Sequence, residues 1–258
     1  MKRKMRIKII SALAVVSLVF CMISPISVCA TETEFSVEIN AINLAFMEKT
    51  HVIVNLEETG LTSGQQTGIA VWYDETLEVG SLEIENANYT NFDKKTDSKG
   101  VEYFEAHGVA SDEYADLFYV APVIKNGDNV QIAGEAGLYS VITYLNTRLS
   151  NDDITDNQAA LYERMLLHGL AASKAFEGEY SYGVIRVKNG VVGAQNANIG
   201  AGNIGDVLTI KAEATNAGGE SFIYWLAPDG SQISDRETQV TVTEYGECTY
   251  TAVYDTVE

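Results

Sequence analysis

The three histidines, His51, His107 and His168, are the first residues to test for acid–base or metal chemistry. No two of them have the spacing that puts paired imidazoles on one helix face or in one metal-binding loop. His51 is expected at a strand start, His107 in a turn, and His168 as a packed or capping residue in a helix. The sequence holds no Gly-x-Ser-x-Gly elbow, no paired-histidine zinc helix and no phosphate loop. Carboxylates are plentiful. Asp112, Glu113 and Asp116 cluster in one stretch, and Asp152, Asp153 and Asp156 in another. Clustered carboxylates can share a hard cation such as calcium. The second cluster, however, precedes a helix, where capping and dipole compensation account for acids without a metal. The run Gly202-Asn203-Ile204-Gly205-Asp206-Val207-Leu208 resembles a calcium-binding nonapeptide, but such sites need stacked repeats and it occurs once. It reads better as a turn leading into a strand. A glycosidase pair leaves no short motif, and 36 acidic residues single out no pair without geometry. No catalytic, metal or cofactor-binding residue is therefore assigned.

The aromatic residues and the cysteine read as structural. Trp72 and Trp225 have the rings a sugar platform would use, but each sits within an apolar run, which places it in a core. Phe222 is expected to pack with Trp225. Cys248 alternates with Tyr250, Ala252 and Tyr254, the pattern of a buried, inert thiol on a strand face.

Most of the chain that carries these residues has strand periodicity. Phe35 to Ile39, Val52 to Leu56, Gly68 to Tyr73, Val101 to Ala106, Leu117 to Val120, Val130 to Ala133 and Leu138 to Val141 are short alternating or apolar runs. Turn residues recur at Thr59-Gly60, Ser98-Lys99-Gly100, His107-Gly108 and Asn126-Gly127-Asp128. This spacing predicts a β-sandwich of immunoglobulin-like character. The period then becomes helical. A short helix is expected over Ile142 to Leu149. A longer one runs over Asp156 to Phe176, capped by Thr155 or Asp156 and ended by Gly178. The pair is expected to pack on the sandwich with Trp72 or nearby aromatics beneath it. Alternation returns after Glu177 to Ser181.

The N-terminus reads as an export signal. Lys2, Arg3, Lys4, Arg6 and Lys8 precede the apolar run Ile9 to Ile23, and Val28-Cys29-Ala30 makes a small-residue cleavage site. The apolar run falls short of the roughly 20 residues that span a bilayer. Cys21 follows Phe20 and Cys29 follows Val28, so neither has the small preceding residue of a lipoprotein signal. Removing 1–30 leaves Cys248 alone, which excludes a disulfide-stapled scaffold. The chain has 17 Lys and Arg against 36 Asp and Glu; five of the basic residues and none of the acidic ones lie in 1–30. The remainder thus sets 12 basic against 36 acidic residues, a formal charge of −24. Such a surface disfavours nucleic acid and anionic membranes, and no membrane insertion is expected after signal cleavage. No sorting motif is read at the C-terminus, so covalent wall attachment is not expected.

Residues 181–258 resemble the bacterial repeat family related to the B repeats of listerial internalins. The resemblance rests on Gly205-Asp206 before Leu208-Thr209-Ile210, Phe222 and Trp225, Asp229-Gly230, Val240 to Thr243, and Thr251 to Tyr254. It implies a small β-grasp-like module used for spacing or contact in surface proteins. Such modules often recur in tandem; here there is one copy. The first part resembles an uncharacterised immunoglobulin-like module of secreted clostridial proteins, through Gly68 to Tyr73 and the helix Met165-Leu166-Leu167-His168-Gly169-Leu170-Ala171-Ala172. His168 and Leu170 depart from that family's tyrosine and alanine. The resemblance implies architecture and location and supplies no catalytic residue.

The expected organisation is a signal peptide over 1–30, a β-sandwich over 31–141, a helical segment packed on it over 142–178, and a small β repeat domain over 181–258. The expected function is a secreted, non-catalytic surface, adhesion or binding protein. Its partner would be an extracellular protein or a neutral glycan. The alternative is a secreted carbohydrate-active accessory protein or carboxylate-dependent glycoside hydrolase. N-terminal sequencing of exported protein is expected to begin at Thr31; a product beginning at Met1 would overturn the processing reading.

Overall fold

The computed structural model describes residues 35–46, 49–73, 77–151, 154–193 and 197–255. The expected signal segment and the acidic pair Asp152-Asp153 lie outside the described residues. The first half carries strands β1 (Ser36–Phe46), β2 (Thr50–Thr59), β3 (Gln65–Trp72), β4 (Tyr89–Asn91), β5 (Lys95–Thr96), β6 (Glu102–Val109), β7 (Phe118–Asn126), β8 (Asn129–Ile132) and β9 (Gly137–Tyr139). Helices α1 (Val141–Leu149) and α2 (Asp156–Glu177) follow. The second half carries β10 (Gly183–Lys188), β11 (Val191–Val192), β12 (Ile199–Gly202), β13 (Val207–Lys211), β14 (Phe222–Leu226), β15 (Gln232–Ile233), β16 (Glu237–Thr241) and β17 (Gly246–Tyr254). The protein is thus mostly β.

In the first half, one antiparallel sheet has the order β1-β2-β6-β5 and a second the order β4-β3-β7-β8, with β9 also paired to β7. The period-2 rule sorts their residues. Val52 and Val54 of β2, Ile69 and Val71 of β3, Phe104 of β6 and Val120 of β7 share one apolar core with both helices. β3 is apolar on both faces because both are covered. Its other face puts Ala70 and Trp72 with Tyr119, Ala121 and Val123, beneath Leu77, Leu82, Ile84 and Phe92. Of the aromatics expected beneath the helices, Phe104, Tyr114 and Phe118 share their core, whereas Trp72 does not. It is one residue out of phase with Val71 and points to the opposite side of the sheet.

Local irregularities explain two further departures. β1 continues well beyond Ile39, with a bulge between Ile39 and Ala41, so that Ile39, Ile42 and Leu44 all pack on the core. His107 lies within β6 and not in a turn. The register of β2 against β6 shifts at this point, with Val52 opposite His107 but Ile53 opposite Glu105. That bulge accommodates the His107-Gly108 pair that reads as a turn in the sequence.

Both helices have sequence-encoded ends. In α1, Ser140 Oγ accepts from the Thr143 N–H at 3.1 Å. In α2, Thr155 Oγ1 accepts from Gln158 N–H at 3.3 Å while Gln158 Oε1 accepts from Thr155 N–H at 2.9 Å, a reciprocal capping box. Gly178 closes α2 in the left-handed conformation at φ 84°.

In the second half, the sheet β12-β10-β17-β14-β15 faces a smaller sheet, β11-β13-β16. Ile185, Val187, Ile210, Trp225, Val240 and Ala252 fill the space between them. Phe222 and Trp225, three apart, would point to opposite faces of a regular strand. A register shift between Phe222 and Tyr224 turns both inward, with ring centroids 5.9 Å apart. The described residues of this half form no helix.

Phe35–Glu258 forms one compact unit. Its larger apolar core holds residues from both sides of Glu177 to Ser181, the stretch where the sequence changes period, and takes in Tyr182, Val184, Ala197, Ile199 and Ala201. Alternation along β10 sends Val184 toward the helices and Ile185 into the second-half core. Tyr182, fully buried, donates its hydroxyl to the Leu166 carbonyl of α2. Tyr114 is also buried and shares a hydrogen bond of 2.8 Å with Thr50. Gly169 makes room for both rings. A Cβ there would stand 2.5 Å from Tyr114 Cδ2 and 2.6 Å from the Tyr182 hydroxyl. Gly169→Ala is therefore expected to destabilise the protein. Overpacking costs about 1–3 kcal/mol, against a helix-propensity gain of about 1 kcal/mol. Chemical denaturation should show a lower midpoint; a raised midpoint would mean that the rings do not need the space.

Candidate functional site

The structure separates most of the residues that the sequence offers for chemistry. His51, on β2, pairs its Nδ1 with Glu105 Oε1 of β6, while Glu105 Oε2 takes the Lys95 ammonium of β5. The Lys95 ammonium, with the His51 imidazole adding to it, holds the Glu105 carboxyl below the usual carboxylate range. His168 is exposed on α2 and is neither packed nor capping. Glu113 accepts from the Ala110 N–H at 3.1 Å, which ties its carboxylate to its own turn. Asp156 stands in the first turn of α2. Asp206 Oδ2 accepts from the Asn203 N–H at 2.8 Å, and Gly205 adopts φ 101°, so the nonapeptide-like run is a turn entering β13. Among the described residues, no three His, Cys, Asp or Glu side chains converge as a metal site requires.

The tryptophans have no exposed face. Both are fully buried, and each indole N–H is used internally: Trp72 donates to the Glu83 carbonyl at 3.1 Å and Trp225 to the Arg236 carbonyl at 3.2 Å. Neither is a sugar platform in this fold. Phe222 packs edge-on against both Trp225 and Tyr254. Cys248 is half-buried beside the same core.

A concavity does form where three elements meet that the sequence does not bring together. β1 is the edge strand of its sheet, β9 lies along β7 of the other sheet, and α1 follows β9 directly. Between them lies a groove of about 320 Å³, near the lower end of the volumes of ligand sites. Ile39, Ile42 and Leu44 of β1 and Phe118 of β7 make its apolar wall. Leu138 and Tyr139 of β9, and Thr143, Tyr144 and Thr147 of α1, make the other side. Burial pushes the Tyr139 and Tyr144 phenols above the ordinary tyrosine range. The Tyr144 ring stands edge-on to Tyr162 of α2, with centroids 6.5 Å apart. Asn40, Ser140, Thr143 and Thr147 supply uncharged polar groups, and no carboxylate lines the groove. The arrangement can hold an apolar group and hydrogen-bond its polar end. It has no paired acid and base.

The only signal for this site in the sequence is a break in phase. Ile39, Ile42 and Leu44 fit neither strict alternation nor a helix, and that is what a bulged strand looks like. No protein-family model matches this chain, and no curated protein matches it.

Cys248 gives a direct measure of this packing. Burial pushes its thiol up, and the neighbouring Glu244 and Glu247 carboxylates add to the shift. A raised thiol carries less thiolate at a given pH, and the thiolate is the reactive form. Alkylation of the native protein at pH about 8 is expected to be slower than that of denatured protein, and to accelerate only above the ordinary thiol range of about 8.5. Equal rates in the native and denatured states would contradict it.

Proposed function

We propose that this is an exported protein that binds or bridges at the cell exterior and turns over no substrate, with the β1–β9–α1 groove as its contact surface. The observation that carries this reading is the groove's lining: apolar and hydroxyl side chains, with no carboxylate. Glycoside hydrolysis needs two carboxyl groups facing across the scissile bond, and this concavity has none. Export is read from the basic and apolar segments before Ala30. No described helix is long and apolar enough to cross a membrane.

The finer architecture belongs to the same proposal. The two facing sheets of the first half are taken as an immunoglobulin-like sandwich, and the second half as a single repeat-like spacer module. The partner is an extracellular protein segment or a neutral glycan. A surface with 36 carboxylates repels polyanions, and the groove itself is uncharged.

The test uses residues 31–258 on immobilised polysaccharides, peptidoglycan and extracellular matrix proteins, with retention and released reducing ends measured together. Retention without release is expected. Leu138→Asp, at an exposed position on the groove rim, should weaken retention roughly tenfold or more, the scale of losing one well-packed apolar contact, and leave the thermal midpoint unchanged. Release that disappears when an acidic pair is neutralised would replace this reading with the hydrolase. Retention unaffected by Leu138→Asp would move the contact surface elsewhere.

A further inference from the structure

The short strand β5 is held differently from every other strand of its sheet. It pairs only two residues with β6, Lys95 with Tyr103 and Thr96 with Glu102. From Lys95 to Gly100 every residue is exposed, so no apolar side chain anchors the segment. Its hold is ionic. Lys94 Nζ lies 2.8 and 3.0 Å from the two carboxylate oxygens of Glu58 and 3.2 Å from Glu102 Oε2. Lys95 Nζ pairs with Glu105. At the tip, Asp97 Oδ1 accepts from the Lys99 N–H at 2.8 Å and the Val101 N–H at 2.9 Å.

The segment immediately before it is anchored in another way. Asn91 is buried and donates to the Glu105 carbonyl at 2.9 Å, and its Oδ1 accepts from the Asp93 N–H at 2.8 Å. Phe92 lies flush on β3, where a Cβ on Gly68 would stand 2.6 Å from its ring. Fixed and unfixed chain therefore meet at Asp93. Three of the 12 basic residues after position 30, Lys94, Lys95 and Lys99, fall within this segment, and Lys94 and Lys95 meet the Glu58, Glu102 and Glu105 carboxylates of β2 and β6.

We propose that residues 94–100 form a strap latched onto the sheet by carboxylates, which acid or high salt releases as a unit, with Asp93 as the hinge, before the fold as a whole unfolds. Release removes the β5 neighbour from Glu102 and Tyr103, and uncovers Glu58 and Glu105. The charged groups facing the latch are few. Glu105 meets Lys95 from β5 and His51 from β2; Tyr103 and Asp93 also lie close to Lys95. Glu58 meets Lys94 and accepts from Thr67 Oγ1 of β3 at 2.5 Å. Glu102 meets Lys94.

The sign follows from the carboxylates. The Lys95 ammonium holds Glu105 below the usual carboxylate range, and the Val101 and Lys99 amides do the same for Asp97. The contribution of these two carboxylates is therefore fully present above the ordinary carboxylate value of about 4. It is lost as pH falls through the lowered folded-state values.

Amide hydrogen exchange of residues 31–258 tests this, compared as protection factors so that intrinsic rate changes cancel. The reporters are the Asp97 and Gly100 amides, which donate to the Val101 and Asp97 carbonyls, and the Val101 amide. Raising salt from about 0.1 to about 1 M shortens the screening length from about 10 to about 3 Å. It should lower their protection, with the amides of β2, β3 and β7 unchanged; acidification should do the same. A Lys94→Met/Lys95→Met variant should lose roughly tenfold in protection at neutral pH, the combined weight of several surface ion pairs, and Lys94→Arg/Lys95→Arg should retain it. Strap amides that keep their protection under salt and in the methionine variant, or lose it only together with β2, β3 and β7, would overturn the proposal. Should the methionine variant fail to fold, the salt and acid responses of the unmodified protein decide the matter.

Discussion

The seat of α2 is the constraint on which the two halves depend. A glycine in the middle of a 22-residue helix gives up helix propensity, yet Gly169 lets Tyr114 and Tyr182 approach the helix backbone more closely than any side chain would allow. Tyr182 then spends its hydroxyl on the Leu166 carbonyl, because a buried phenol with no partner would be costly. The same burial raises this phenol far above the ordinary tyrosine range. Tyr114 belongs to the first half and Tyr182 to the entrance of β10, so one helix surface fixes both. Ser173 of α2 completes the seat by accepting the Ser181 N–H at 3.2 Å.

That joint explains why a change of periodicity marks no break in the core. Glu177 to Ser181 does separate helical from alternating sequence, and Gly178 does end the helix. What local sequence cannot encode is that Tyr182, Val184 and Ile199 turn toward the helices and not into their own half. Periodicity gives the phase of a strand but not which neighbour covers each face. Trp72 illustrates the same limit. Its burial is legible from an apolar run, whereas the side of the sheet it joins depends on the loop from Leu77 to Phe92 folding over it.

Three bulges account for most of what sequence pattern alone misreads. Each shifts phase by one residue, and one residue is the whole difference between inside and outside on a strand. At Asn40 the shift keeps Ile39 and Ile42 on the same wall, which makes the groove. Near Ala106 it draws His107 into β6 where a turn is expected. At Ile223 it leaves that residue exposed and turns both Phe222 and Trp225 inward. Helix ends, in contrast, are legible. Thr155, Gln158 and Gly178 act through hydrogen bonds and dihedral angles of their own immediate chain, so no distant partner is needed to place them.

Helix α1 connects the groove to the second half. Thr143, Tyr144 and Thr147 face the groove, while Val141, Ile142, Leu145 and Leu149 are buried in the shared core. Between these sets, Asn146 reaches β12. Its Nδ2 donates to the Ala201 carbonyl at 2.5 Å, and its Oδ1 accepts from the Ala201 N–H at 3.0 Å. The side-chain amide thus takes the place of a neighbouring strand at the β12 edge of the second-half sheet, a position that would otherwise present unpaired backbone groups. A nine-residue helix is marginal by itself, so its position must come from its contacts on either side. The wall of the groove formed by Tyr144 is therefore held in register by β12 as well as by the first-half sheets. The second half is in this sense part of the groove's framework, although none of its residues lines it.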